Sequence, residues 1–174
     1  MLNLLFRMLG YWLMKHLGFP RLLPMSYTVS LLYTCNSRCS TCNVWKKKAR
    51  NFTVEEYAKT FKKIGRSPYW ITFSGGEPFL RKDIVEVVST IYEISRPNII
   101  NIPTNGILTG TIVEKTAAIA RACPKSQVII NISVDGIGEQ HDEIRKVPGN
   151  YKKTMATFQK LKALQIPNLA VGIH

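Results

Sequence analysis

Cys35, Cys39 and Cys42 fall within the eight-residue run Cys35-Asn36-Ser37-Arg38-Cys39-Ser40-Thr41-Cys42. A C-x3-C-x2-C run this tight leaves little room for three independent structural roles, and one polynuclear centre accounts for it better. A closed structural zinc site asks for four ligands. The remaining cysteine, Cys123, lies far along the chain at the predicted end of a helix, where it reads as a small buried hydrophobe. A cubane iron–sulfur cluster also normally takes four thiolates, so three leave one iron without a protein ligand. A metal corner that the protein does not close can bind substrate, as the open position of a catalytic zinc does. Two other readings stay open. One is a redox pair of Cys39 and Cys42, which leaves Cys35 unexplained; the other is a zinc knuckle completed by a partner.

Three more runs carry small or polar residues: Ser74-Gly75-Gly76-Glu77-Pro78, Thr104-Asn105-Gly106 and Ser133-Val134-Asp135-Gly136. Gly75 and Gly76 lack a β-carbon and suit backbone approach to a ligand. Glu77 is acceptor-only when ionised; its plainer reading is a surface carboxylate at a helix start. Thr104-Asn105-Gly106, taken alone, reads as an ordinary βα turn.

These runs need elements to position them. Short β-branched or aromatic segments alternate with segments of helical period. The pattern predicts strands over Tyr27–Tyr33, Trp70–Phe73, Ile99–Ile102, Val128–Val134 and Leu169–Ile173. Helices are predicted between them over Val54–Ile64, Asp83–Ile94, Ile112–Ala122 and Tyr151–Leu164. Thr53 and Glu56 stand at capping-box spacing before the first, and Pro148-Gly149-Asn150 makes a turn before the last. Strands hydrophobic on both faces, joined by helix-length connections, argue for a parallel α/β sheet or barrel. In such folds chemistry sits at the carboxyl ends of the strands, and the cysteine run and the three others follow or end the first four strands.

The chain has 174 residues, 45% of them hydrophobic, with 24 basic and 11 acidic side chains and a net charge of +13. That is one domain's worth of chain with enough apolar residues for a core, and it excludes a disordered tail, a low-complexity polymer or a disulfide scaffold. Residues 1–24 form a separate apolar segment, and residues 25–174 the α/β domain. Arg7, Lys15 and His16 interrupt the first segment before a membrane-spanning length is reached, and it lacks the pattern of a secretory signal. Leu2, Leu5, Phe6, Leu9, Trp12 and Leu13 can share a helical face suited to a membrane surface. A helix packed on its own domain or on a missing one is the preferred reading. Lys46, Lys47, Lys48 and Arg50, with Lys59, Lys62, Lys63 and Arg66, form a basic sector beside the cysteine run. It suits an acidic partner, preferentially a reductant such as a flavodoxin or ferredoxin. Nucleic acid is not favoured, because no aromatic–basic motif accompanies the charge.

The cysteine run after strand one, Gly75-Gly76-Glu77-Pro78 after strand two and Ser133-Val134-Asp135-Gly136 ending strand four together resemble the radical S-adenosylmethionine (SAM) enzymes. The likeness is greatest to the branch of peptide and protein maturases that includes the SPASM-type anaerobic sulfatase-maturating enzymes, and it covers Met25 to the end. The resemblance implies a partial (β/α) barrel in which Cys35, Cys39 and Cys42 bind a [4Fe-4S] cluster. S-adenosyl-L-methionine would chelate its open iron and be cleaved reductively to a 5′-deoxyadenosyl radical that abstracts a substrate hydrogen. By the same resemblance Gly75, Gly76 and Glu77 receive the SAM amino group, Ser133 its ribose or methionyl moiety and Arg145 its carboxylate, while Thr104 touches SAM or substrate. Asp135 orients its turn.

Two departures stand out. Many relatives carry an aromatic residue before the third cysteine to cover the adenine, and this chain has Thr41. Relatives usually build six strand–helix units, and five strands are predicted here. The expectation is an N-terminal piece of a longer enzyme, with completion of the sheet by a partner chain as the alternative. The reading is a cytoplasmic radical SAM enzyme acting on a peptide or protein. RNA or small-molecule modification on the same core, or a non-catalytic iron–sulfur or zinc module, are the rivals.

Overall fold

The computed structural model describes residues 2–174, with side chains from residue 5 onward; Leu2, assigned above to the apolar face, has its side chain outside the described residues. Helix α1 (Leu2–Leu17) precedes β1 (Ser26–Leu32), α2 (Val54–Ile64), β2 (Trp70–Gly75), α3 (Ile84–Ser95) and β3 (Ile99–Thr104). Then come α4 (Thr109–Ala122), β4 (Gln127–Ile132), α5 (Glu139–Arg145), α6 (Asn150–Ala163) and β5 (Leu169–Ile173). The strands form one sheet in the order β1-β2-β3-β4-β5, every neighbour parallel. Sequential parallel order with helical crossovers is the topology of a (β/α) barrel, here partial, with β1 and β5 at its edges.

The sheet buries one face under the helices. Ile71 and Phe73 of β2, Ile100 and Ile102 of β3, and Val128, Ile130 and Ile132 of β4 are fully buried against Val87, Val88 and Ile91 of α3 and Ile112 and Ile119 of α4. The intervening residues of each strand point the other way and stay half-buried. Cys123, at the end of α4, belongs to this core, and burial pushes its thiol up to about 12. It is the inert hydrophobe expected.

All five strands lie where the periodicity puts them, shifted by two residues or less at most ends, and the four predicted helices are present. Strand β4 stops at Ile132 rather than Val134, so Ser133 begins the loop that follows. Helix α5 is an addition. Its seven residues bury only His141, so no apolar stripe announces it. Its Asp142 carboxylate accepts from Gly149 N and Tyr151 N at 2.6 and 2.7 Å, capping the start of α6. Helix α1 packs on the domain through Arg7, and its Leu5, Leu9, Trp12 and Leu17 stay more than half exposed.

The predicted capping box is formed. Thr53 Oγ1 accepts from Glu56 N at 3.3 Å, and Glu56 Oε2 accepts from Thr53 N at 2.8 Å while pairing with Arg50. Thr53→Ala is expected to lower the unfolding free energy by about 1 kcal/mol, and Thr53→Ser to keep most of it, as read by chemical denaturation followed by circular dichroism.

Candidate active site

The carboxyl ends of β1 to β4 open onto a cavity of about 250 Å³. Every predicted site residue lines it. Cys35, Cys39 and Cys42 come from the loop after β1, Gly75, Gly76 and Glu77 from the end of β2, Thr104 from β3, Ser133 from beyond β4 and Arg145 from α5.

Main-chain hydrogen bonds fix the cysteine loop. Arg38 N donates to Arg145 O at 3.2 Å and Ser40 N to Ile144 O at 3.0 Å, so carbonyls left open at the end of α5 become the loop's acceptors. Asn105 grips it from β3, donating from Nδ2 to Asn36 Oδ1 at 2.7 Å and to Ser37 Oγ at 3.2 Å. Cys42 N donates to Cys39 O, and Trp45 Nε1 donates to Cys42 O at 3.0 Å. Burial pushes the Cys35 thiol up, with Ser37 N–H opposing at 3.4 Å. The three thiols line the one cavity, and among the described residues no three His, Cys, Asp or Glu side chains are close enough to share one ion. Thiolates are the ligands of iron–sulfur clusters, so the donor set fits a polynuclear cluster.

The glycines are required by the protein's own backbone before any ligand is considered. A β-carbon on Gly75, whose φ is +129°, would lie 2.2 Å from Leu32 O, and one on Gly76 would lie 2.1 Å from Thr34 O. That closeness lets Gly76 N donate to Leu32 O at 2.7 Å and Glu77 N to Thr34 O at 3.0 Å, so the exit of β2 lies flush against the exit of β1. Glu77 is 1% exposed. It is no surface carboxylate: it accepts from Thr104 Oγ1 and Asn105 N, both at 2.8 Å, and from Phe79 N at 3.2 Å. Burial raises its pKa, while these donors and the more distant Arg145 oppose the rise. It makes no salt bridge among the described residues. A buried carboxylate in that state is costly to keep ionised, and a bound ammonium would offset the cost. That fits the amino group of SAM.

Arg145 is mostly buried and pairs through Nε with Asp135 at 2.5 Å. Asp135 N donates to Nδ1 of the fully buried His141 at 3.2 Å, so His141 holds the turn that carries Asp135. Thr104-Asn105-Gly106 does more than turn the chain, because it ties Glu77 to the cysteine loop. The identity of Asn105 gave no hint of this, since its partners lie 68 and 69 residues away. Trp45 was also missed. It lines the cavity beside Thr41, with the Arg38 guanidinium 4.7 Å from its ring centre. On the strand face turned away from the helices, Trp70 Nε1 and Asn101 Nδ2 both donate to Thr72 Oγ1, and Asn131 Nδ2 donates to Asn101 Oδ1. Two residues further along the same strands, Ser74, Pro103 and Ser133 reach the cavity, so this polar row runs into it.

Asn105→Ala is expected to lower the iron retained after anaerobic reconstitution, whereas Cys123→Ala leaves it unchanged; iron and sulfide assays on folded protein decide. Burial and Arg145 lower the pKa of His141. The unfolded chain therefore takes up a proton near the ordinary value of about 6.5 while the folded chain does not. The stability due to neutral His141 is complete above that pH and lost as pH falls through the depressed value. Denaturation across this range is expected to show a weaker acid dependence for His141→Gln than for the parent chain.

Residues 29–174 match the family described as Radical SAM superfamily. The chain is 29% identical over 148 residues to the sporulation killing factor maturation protein SkfB of Bacillus subtilis, covering 83% of this chain and 34% of that protein. It is 31% identical over 163 residues to a probable GTP 3′,8-cyclase of Methanocaldococcus jannaschii, covering 86% of this chain and 51% of that one. The chain thus spans about half or less of these relatives' lengths. The crystal structure of Streptococcus suis SuiB bound to precursor peptide SuiA superposes with a TM-score of 0.69 at 15% identity, covering 92% of this chain and 35% of that one. The match over most of the chain, and a fold and cavity that agree with it, place this protein in the radical SAM superfamily, whose members are enzymes that use a [4Fe-4S] cluster and S-adenosylmethionine.

Proposed function

We propose that the chain generates the radical for an enzyme that modifies a peptide or protein. The observation that carries this is the convergence of three thiols, a buried carboxylate and an arginine, from three separate parts of the chain, on one cavity. When bound, the cluster and S-adenosylmethionine supply one-electron cleavage of a sulfonium and abstraction of a substrate hydrogen atom. The chain's own residues bind and orient. Cys35, Cys39 and Cys42 hold the cluster. Glu77 gives the SAM amino group its countercharge, held in place by Thr104 and Asn105. Arg145 presents its guanidinium to the methionyl carboxylate, with Asp135 fixing its angle, and Ser133 offers a hydroxyl to the ribose or methionyl part. Trp45 provides the aromatic surface that Thr41 does not. The exposed Lys46, Lys47 and Lys48 beside the cysteine loop are the docking surface for an acidic flavodoxin or ferredoxin.

The maturation role in the name of SkfB and the peptide in the SuiB structure support a peptide substrate. The polar row Thr72–Asn101–Asn131 supports it too, since hydroxyl and carboxamide groups match the donors and acceptors of a peptide backbone. A small-molecule substrate is the second reading, favoured by the match to a GTP 3′,8-cyclase. Anaerobic reconstitution with iron and sulfide, followed by reduction in the presence of SAM, is expected to yield 5′-deoxyadenosine and methionine, and Cys39→Ala to abolish both. A reconstituted cluster that leaves SAM intact would favour a non-catalytic module. Stimulation of cleavage by nucleotides and by no peptide would favour the second reading.

A further inference from the structure

Helix α1 presents the wrong face outward for a helix serving its own domain. Arg7, Gly10, Tyr11 and Met14, spaced three and four apart, form its half-buried face. That face makes the contacts: Arg7 donates to Ser67 O at 2.7 Å and Arg66 O at 2.8 Å, Tyr11 OH donates to Leu23 O, and Leu22 N donates to Met14 Sδ. At Gly10 a β-carbon would come within 2.9 Å of Leu22 Cδ1. The outward face carries Leu5, Phe6, Met8, Leu9 and Trp12, all between 54% and 67% exposed. Leu17, Phe19 and Leu23, also more than half exposed, continue the apolar surface past the helix end. Folding of this domain does not account for a stripe turned away from it, and a soluble surface normally avoids a patch of this extent.

We propose that α1 seats the protein on an anionic lipid bilayer, lying in the interface with Leu5, Phe6, Leu9 and Trp12 in the acyl boundary. Charge selects this occupant. No Asp or Glu precedes Glu55, whereas the exposed Lys15 and Arg21 lie in or just after the helix. The exposed Lys62, Lys63 and Arg66 stand at the end of α2, where Arg7 docks. An apolar face rimmed by charge of one sign matches acyl chains beneath anionic headgroups. No helix among the described residues is long and apolar enough to cross a membrane, so the seat is on the surface.

Flotation of the reconstituted protein with phosphatidylcholine vesicles, with and without about a quarter phosphatidylglycerol, tests this. The protein is expected to float with the anionic vesicles, at least about tenfold more than with neutral ones, and to be released by high salt. Phe6→Ser combined with Leu9→Ser and Trp12→Ser is expected to abolish flotation while leaving circular dichroism and cluster content unchanged. Lys15→Glu with Arg21→Glu, which spares the apolar face, should weaken it by about tenfold. Failure to float with anionic vesicles, or a triple variant that floats like the parent, overturns the proposal. So does a dimer that the triple variant dissociates, because a second copy would then be the cover.

Discussion

The exits of β1 and β2 run closer together than any side chain permits. At Gly75 and Gly76 even a β-carbon would overlap the carbonyl oxygens of Leu32 and Thr34, and the two strand ends lock through main-chain hydrogen bonds instead. The rest of the site follows. With the two exits flush, Glu77 is carried inward to meet Thr104 and Asn105, and Asn105 in turn reaches the loop bearing the thiols. Loop, carboxylate and third strand thus form one hydrogen-bonded unit. Ser37, Glu77, Thr104 and Asn105 within it are buried and their polar groups are largely satisfied by one another, which makes such a network rigid and sensitive to losing any member.

Much of this was legible from local chemistry. Thiol spacing, paired glycines before a carboxylate and turn residues after strands are properties of short windows, and each points to the same end of a parallel sheet. The Thr53–Glu56 cap was legible for the same reason. What was not legible depends on distance along the chain. Asn105 looks like any turn asparagine until the fold brings Asn36 and Ser37 to it. Helix α5 buries one histidine and shows no apolar period, yet its last carbonyls hold the cysteine loop and its Arg145 enters the cavity. The stripe on α1 was visible as a stripe, but periodicity gives a face without a direction. Arg7, whose acceptors lie 59 and 60 residues away, turns the apolar side outward.

The glycines show how one residue type can satisfy two demands. Absence of a side chain suits the approach of a ligand, and the structure shows that the room is taken by the protein's own backbone. The two accounts are compatible because the glycines lie in the cavity wall: the approach that excludes a β-carbon on one side leaves the main chain bare on the other. A substitution there would therefore displace Glu77 and the thiol loop before it blocked any ligand.

The placement of α1 bears on how such a site would be used. Arg7 docks on Arg66 and Ser67, just before β2 begins, whereas the cavity opens where β2 ends at Gly75. Six residues of strand separate these levels by ~20 Å at the usual rise. A bilayer under α1 would therefore lie toward the amino ends of the strands and leave the carboxyl ends, with Lys46, Lys47 and Lys48 beside them, open to the aqueous side. An electron donor would then approach the thiol loop without competing with lipid.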